Sequence, residues 1–217
     1  MQSLTEAFLK IRPKYGIFTL SHIQNLFPSH SKGAIRLLIN RAVSHGELHR
    51  LGRALYCLER SYQNPPIHPF IIANQLRCPS YISFESALNY YGLIPEMTMQ
   101  TASACSARSK LFETPVGVFE FKKIPCNNFR AGVKNLKLDN GAWAYIASPL
   151  RAIADLVYER KSSINFRDPI GFLTDSLRID EEELQQISLN EFSEIYVSMR
   201  NKKVKQFLHA FKAEYSG

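Results

Sequence analysis

Residues 31–58, SKGAIRLLINRAVSHGELHRLGRALYCL, decide which fold the N-terminal part of this chain can adopt. Five apolar residues recur here at the i, i+3, i+4, i+7 and i+8 spacing of one helix face. They are Ile35, Leu38, Ile39, Ala42 and Val43. Gly46 then stands where a helix commonly ends. The two short apolar runs that follow are joined by Leu51-Gly52-Arg53, and this pattern is typical of a hairpin. A basic helix followed by a basic hairpin indicates the second half of a winged helix-turn-helix.

Two shorter helices are predicted upstream of this stretch. Residues 3–11 have helical apolar spacing, and Ser3 with Glu6 forms a capping-box pattern. Ser21 is expected to begin a second helix, and Ser31 to cap the third. The three helices are predicted to share one small core. Its expected members are Leu4, Phe8, Ile23, Leu26, Ile35, Leu38, Ile39 and Val43.

The positive charge of the chain is concentrated in this N-terminal segment. The 217 residues carry a net charge of +8. Residues 1–60 hold nine Lys and Arg residues against three Glu residues, a net charge of +6. Residues 61–217 hold 18 bases and 16 acids, a net charge of +2. Because the excess positive charge lies on the segment that has the helix-turn-helix pattern, nucleic acid is the expected partner. The alternative is a basic domain that has no nucleic-acid partner.

The polar face of the third helix supplies the candidate base contacts. Docking of a helix-turn-helix places the N-terminal half of its second helix in the major groove. Lys32 and Arg36 would then reach phosphates or guanine edges, and Asn40, one turn beyond Arg36, can pair with adenine. Arg41 is expected to meet a backbone phosphate. Leu37 on the same face has two interpretations, contact with a thymine methyl or packing against a second domain.

The hairpin supplies the remaining candidate contacts. Arg50 and Arg53 form a basic tip that is expected to touch phosphate or the minor groove, as phosphate contacts fix register and salt dependence. The alternative is a solvated hairpin tip. The predicted DNA-binding set is therefore Ser31, Lys32, Arg36, Asn40, Arg41, Arg50 and Arg53.

A polar, proline-rich segment separates this unit from the rest of the chain. Residues 59–69, ERSYQNPPIHP, cannot form regular helix. The predicted division is a winged helix-turn-helix at 1–60, a linker at 61–69 and a C-terminal domain at 70–217.

The C-terminal domain mixes strand and helix patterns. Strands are predicted over 97–106 and 118–124, with a turn over 112–117, and Asn140-Gly141 between two apolar runs is a strong hairpin signal. Ser83 and Ser148 precede helix patterns, and four further helices are expected between 169 and 213. Three or four mainly antiparallel strands in a small sheet, flanked by helices and followed by a helical C-terminal part, place the chain in the α+β class.

The sequence shows no catalytic or metal-binding pattern. The four cysteines form no C-x-x-C pair, and buried reduced thiols are expected. Asp155 and Glu159, one helical turn apart, could pair two carboxylates, but Asp155 is expected instead to anchor a hydrogen bond between helix and sheet. No cofactor, metal or catalytic residue is predicted, although a nucleophile assembled across the fold stays an alternative. The N-terminus lacks an apolar signal core and no run has the length of a membrane span, so a cytoplasmic protein is expected.

Residues 81–95, YISFESALNYYGLIP, resemble the start of the C-terminal domain of AbiEi-type antitoxins, the antitoxins of type IV toxin–antitoxin systems. Residues 112–117, FETPVG, with Phe119 and Phe121, are similar to the same family. So are residues 147–155, ASPLRAIAD, although Leu150 stands where the family often has Glu. The hairpin motif 52–56, GRALY, fits the same architecture.

This resemblance implies a specific function. Members of the family bind inverted repeats in their own promoter through an N-terminal winged helix, repress the operon and counteract a nucleotidyltransferase-like toxin encoded next door. A DNA-tethered enzyme and a regulator without a toxin are the alternatives. Two basic clusters in the C-terminal domain are candidate surfaces for the partner or for flanking DNA, the alternative for the second being a solvated helix end. They are Arg108 with Lys110, and Arg200 with Lys202, Lys203 and Lys205.

Overall fold

The computed structural model describes residues 4–11, 16–95, 99–160, 164–166 and 168–215. The described part is a mixed α and β structure with two sheets of three and six strands. The predicted cap Ser3 and the beginning of the strand predicted over 97–106 lie outside the described residues.

Three helices and a small sheet make up the N-terminal part. In chain order they are α1 (Leu4–Ile11), β1 (Ile17–Thr19), α2 (Leu20–Leu26), α3 (Lys32–Ser44), β2 (Leu48–Gly52) and β3 (Leu55–Leu58). The strands pair antiparallel in the order β1-β3-β2. The helix start predicted at Ser21 is one residue late: α2 begins at Leu20, because the Thr19 hydroxyl accepts a hydrogen bond from the backbone N–H of His22 at 3.3 Å.

The N-terminal core follows the predicted helix faces with two exceptions, the first being Leu38, which is half-buried and packs in neither hydrophobic core. Phe8 and Phe18 stack with their ring centroids 3.8 Å apart. From α3, Ile35, Ile39 and Ala42 are buried. Val43, predicted in the core, is 39% exposed. Eight residues make about 2.2 helical turns, so Val43 is rotated away from the Ile35 direction, whereas Ala42 returns almost to it.

The larger sheet has six strands, more than the three or four expected. They are β4 (Ser80–Ile82), β5 (Gln100–Cys105), β6 (Lys110–Thr114), β7 (Gly117–Lys123), β8 (Val133–Lys137) and β9 (Trp143–Ala147). Their order is β6-β7-β5-β4-β9-β8, and the β5–β7 and β4–β9 pairs are parallel. The turn predicted over 112–117 is wrong in its first half, because β6 continues to Thr114 and pairs with β7. The predicted Asn140-Gly141 hairpin between β8 and β9 is confirmed.

Helices cover this sheet and form the C-terminal end of the chain. They are α4 (Pro69–Leu76), α5 (Phe84–Tyr90), α6 (Pro149–Glu159), α7 (Pro169–Gly171), α8 (Glu181–Gln185), α9 (Phe192–Ser198) and α10 (Lys202–Tyr215). A π-helical turn, Phe172–Ser176, continues α7. Buried residues of α10, including Phe207 and Phe211, join the same core as the sheet. None of the described helices combines the length and the apolar character needed to cross a membrane.

The central strand of the three-stranded sheet, β3, is buried on both faces. Successive residues of a strand point to opposite faces, so Tyr56 and Leu58 join the core of the N-terminal helices, while Leu55 and Cys57 join the core of the larger sheet. The segment predicted as a linker folds back at this point, where the Gln63 amide donates to the Leu58 carbonyl at 2.6 Å. The division at 1–60, 61–69 and 70–217 stays a prediction.

The four cysteines are free thiols in different environments. Cys57 and Cys105 are buried and Cys126 is half-buried, but Cys78 is exposed in the turn between α4 and β4. The expectation of buried thiols is therefore wrong for Cys78. A turn residue next to a proline lies at the surface because the chain reverses direction there.

Alkylation should distinguish these thiols. Burial, with a contribution from Glu59, raises the pKa of Cys57 to about 12, so its reactive thiolate is scarce at neutral pH. We expect iodoacetamide at pH 8 to modify Cys78 at least about 100-fold faster than Cys57. Peptide mass spectrometry against time measures both rates, and Cys78→Ser should remove the fast phase. Equal rates in the native protein would contradict the described burial.

Candidate nucleic-acid interface

Helix α3 begins where the sequence predicted. The Ser31 hydroxyl accepts a hydrogen bond from the backbone N–H of Ala34 at 3.2 Å, which confirms Ser31 as the cap. Ser31 is itself exposed and retains its hydroxyl proton as a donor. The cap fixes the first turn of the helix, and therefore the direction in which Lys32 and Arg36 leave it.

The outward face of α3 is basic and uncompensated. Lys32, Arg36, Asn40 and Arg41 are all exposed. Within the described ranges, none of the three bases has a carboxylate at ion-pair distance. Leu37 is 60% exposed and packs in neither hydrophobic core. Of the two interpretations of Leu37, packing against a second domain therefore has no support among the described residues. This face therefore offers four hydrogen-bonding side chains and one apolar side chain to a partner.

The hairpin differs from its prediction in the placement of Arg50. Arg50 lies within β2, where its guanidinium Nη2 donates to the Tyr56 hydroxyl at 3.1 Å. The Arg50 Cζ lies 5.5 Å from the centroid of the Tyr56 ring. The tip itself is Arg53-Ala54, with Ala54 at φ 57°. Tyr56 thus limits the directions in which Arg50 can point, and Arg53 alone occupies the tip predicted for both arginines.

A groove beside the hairpin tip brings together two parts of the chain that are distant in sequence. Arg53 lines it from the hairpin, and Lys110 lines it from the start of β6. The Lys110 ammonium lies 4.3 Å from the centroid of the Phe112 ring, which holds it at the groove. Arg108 is exposed nearby in sequence, and its carbonyl accepts a hydrogen bond from the Arg77 guanidinium. The first of the two C-terminal clusters therefore continues the basic surface of the hairpin.

The second cluster lies around the start of α10 and is held by its own neighbours. The Arg200 Nε donates to the Asn127 amide oxygen at 2.8 Å. The ammonium of Lys203 lies 5.4 Å from the Phe166 ring centroid, and that of Lys205 lies 5.1 Å from the Tyr196 ring centroid. Lys202 is exposed and shares a shallow groove with Lys205 and His209. This cluster contributes no residue to the lining of the Arg53–Lys110 groove.

A buried ion pair, which sequence analysis missed, lies under the larger sheet. Arg151 and Asp155, one turn apart on α6, are fully buried and joined at 3.0 Å. The hydroxyls of Tyr81 and Ser83 each donate to Asp155 Oδ2 at 2.8 Å. The prediction that Asp155 anchors the helix to the sheet is confirmed. The sequence did contain a signal for this pair, namely an Arg and an Asp at positions i and i+4 on an otherwise apolar helix face.

The electrostatics of this cluster keep its arginine charged. Burial alone would lower the pKa of Arg151, but the Asp155 carboxylate and the Tyr81 hydroxyl outweigh burial and raise it. Burial, followed by the charge of Asp155, raises the pKa of Tyr81. Arg151 also donates to the Ala131 carbonyl at 2.7 Å. The polar atoms of the pair are thus taken up by hydrogen bonds within the core.

The described residues offer no metal site. Within the ranges given above, no three His, Cys, Asp or Glu side chains are close enough together to hold a metal ion. Glu159 turns away from Asp155 and forms an ion pair with Lys122 at 3.2 Å. Comparisons with protein-family models and with curated proteins found no match.

Proposed function

We propose that this chain is a cytoplasmic, DNA-binding antitoxin of the type IV class, which represses its own operon and counteracts a nucleotidyltransferase-like toxin. The observation that carries the DNA-binding half is the exposed face of α3, where three bases have no described carboxylate partner. The element order α1-β1-α2-α3-β2-β3 and the strand order β1-β3-β2 support a winged helix-turn-helix. In that fold, α3 is the recognition helix and β2–β3 is the wing.

The dimensions of α3 suit a major groove. The helix has 13 residues and is about 20 Å long, and the major groove of B-form DNA is about 12 Å wide and admits one helix. Arg36 and Asn40 project from one face, one turn apart, so both can meet base edges while Lys32 and Arg41 meet phosphates. Arg53 and Lys110 line one groove beside the hairpin and would meet the DNA backbone on the wing side.

Support for the antitoxin half comes from the sequence resemblance. Three of the motifs that carry it lie in the C-terminal part of the chain. Residues 81–95 form β4 and α5, residues 112–117 lie on β6 and the following turn, and residues 147–155 lie at the end of β9 and on α6. The expected operator is an inverted repeat in the chain's own promoter. A neighbouring open reading frame that encodes a nucleotidyltransferase-like protein would distinguish an antitoxin from a regulator without a toxin. A growth assay with the co-expressed toxin tests whether this chain neutralises it. In that assay, Lys202→Glu with Lys203→Glu tests whether the α10 cluster takes part.

The DNA-binding half is tested by Arg36→Ala. We expect this change to weaken binding to the promoter duplex about 10-fold to 100-fold, because a bidentate arginine–guanine contact contributes about 1–3 kcal/mol of discrimination. Fluorescence anisotropy with promoter DNA and with a scrambled duplex, at several salt concentrations, measures affinity and specificity. Wild-type protein should lose affinity steeply with salt.

Two control variants make this test specific. Lys212→Ala removes one exposed positive charge in the last turn of α10 and should leave promoter affinity unchanged within about twofold. Arg36→Lys keeps the charge but not the planar fork of donors, so it should lose the preference for the promoter over the scrambled duplex. Promoter binding by Arg36→Ala as tight as that of wild type would refute the recognition-helix assignment.

A further inference from the structure

An exposed aromatic surface lies on the hairpin of β8 and β9, at the edge of the six-stranded sheet opposite to β6 and Lys110. Trp143 is 51% exposed and Tyr145 is 45% exposed. They are two residues apart on β9, so both point to the same face, whereas Ala144 on the other face is buried. Lys137 is paired directly with Trp143 across the hairpin, and Asn135 with Tyr145. Aromatic, basic and amide side chains therefore share one sheet face.

This surface is held on a fixed backbone. The backbone N–H of Tyr145 donates to the Asn74 side-chain oxygen of α4 at 2.8 Å. The turn is closed by Leu138 N–H donating to the Ala142 carbonyl at 2.7 Å, and Asn140 ties it to the Pro66 carbonyl at 2.9 Å. A ligand that stacks on the two rings would therefore not have to order the strand first, and preorganisation of this kind favours affinity.

The charges around the two rings are positive and uncompensated. The Arg130 guanidinium lies 6.0 Å from the centroid of the Tyr145 ring, and Lys137 is exposed beside Trp143. In the part of the chain that the structure describes, neither has a carboxylate at ion-pair distance. Lys134, which points to the opposite face of β8, does have one, Glu191 at 3.1 Å. The aromatic face therefore retains two free cations that fit an anionic ligand.

We propose that Trp143, Tyr145, Lys137 and Arg130 bind an unpaired stretch of RNA, a function beyond the proposed recognition of duplex DNA by α3. The two rings lie about 6.6 Å apart along the strand, so each can stack one base while the two cations meet phosphates. A duplex keeps its bases stacked inside, whereas single-stranded RNA loops present theirs to aromatic side chains on sheet surfaces. A stable interface with a globular protein needs about 20–30 residues on each side, far more than this patch offers.

The protein carries its own probe of this surface, since Trp143 is its single tryptophan. The test titrates the full chain with the unstructured RNA octamer UCUUCUCU and follows tryptophan fluorescence. Stacking should quench the emission. Tyr145→Ala should weaken binding about tenfold, and Lys137→Gln should lower the slope of log affinity against log salt by about 0.7. The matched variant Lys134→Gln changes the same charge on the opposite face of β8 and should bind as wild type does.

Several outcomes would overturn the proposal. They are the absence of quenching, equal weakening by Lys134→Gln and Lys137→Gln, and equal affinity for a DNA octamer of the corresponding sequence. Quenching by an octaglutamate peptide that depends on Tyr145 would assign the surface to an acidic protein segment instead. Arg36→Ala should leave RNA binding unchanged, so a failure of promoter recognition and a failure of this surface are distinguishable.

Discussion

Arg151→Met is expected to lower the free energy of unfolding by about 3–5 kcal/mol, because it leaves the Asp155 carboxylate buried without its cation. Tyr81 and Ser83 would still donate to Asp155, but two neutral hydroxyls do not replace the charge that lies 3.0 Å from it. The variant also leaves the Ala131 carbonyl without the donor that it now has at 2.7 Å. Urea unfolding followed by far-UV circular dichroism measures the change.

A second arginine on the same helix provides the matched control. Arg160, the C-terminal cap of α6, forms a half-buried ion pair with Glu85. Arg160→Met should cost less than Arg151→Met, about 1–2 kcal/mol, because solvent reaches both partners of this pair. The double variant Arg151→Met with Asp155→Asn should be less destabilised than the sum of its two single variants, because no charge is then left unpaired. A cost for Arg151→Met no larger than that for Arg160→Met would show that the pair is not buried as described.

Gly132→Ala is the second change with a large expected effect, about 2–5 kcal/mol of destabilisation. Gly132 has a φ of +67°, which costs a residue with a Cβ about 1–2 kcal/mol. An added Cβ would also lie 2.7 Å from Ile195 Cδ1 and 2.9 Å from Arg151 Cβ. Overpacking of this kind costs a further 1–3 kcal/mol or so. Thermal unfolding and urea unfolding both measure the result.

Gly141 separates the two contributions. Its φ of +79° imposes the same backbone cost, but nothing lies within 4 Å of an added Cβ. Gly141→Ala should therefore lose only about 1–2 kcal/mol. The difference between the two losses of unfolding free energy is the cost of crowding where the loop before β8 packs against α6 and α9. Equal losses would mean that Ile195 and Arg151 move aside at little cost.

Local signals in the sequence predicted the elements that local interactions form. The apolar spacing from Ile35 to Ala42 located α3, and a serine before it located the cap. Asn140-Gly141 located the β8–β9 hairpin, because Gly141 accepts the positive φ of 79° that the turn requires, and a short turn brings its own strands together. The basic face of α3 is similarly a property of one helix and could be predicted from residues 32–41 alone.

Features made by distant parts of the chain could not be predicted in this way. The parallel pairs β4–β9 and β5–β7 join strands that no hairpin connects, so no turn residues in the sequence indicate these pairings. Lys110 is distant from the hairpin in sequence, and only the packing of β6 against β2 brings it to the groove with Arg53. Tyr81 and Arg151, 70 positions apart, are hydrogen-bonded partners, and each alone resembles an ordinary residue of its element.

The central strand β3, buried on both faces, has a geometric consequence for the proposed promoter binding. Leu55 and Cys57 fasten this strand to the core of the larger sheet, so α3 has a set angle to the rest of the molecule. With α3 bound in a major groove, as proposed, every other surface of the protein would have a fixed orientation around the axis of the double helix. Because a groove position repeats about every 10.5 base pairs, half-site spacing would set the rotational phase of two bound copies. The operator would then dictate which faces of those copies meet.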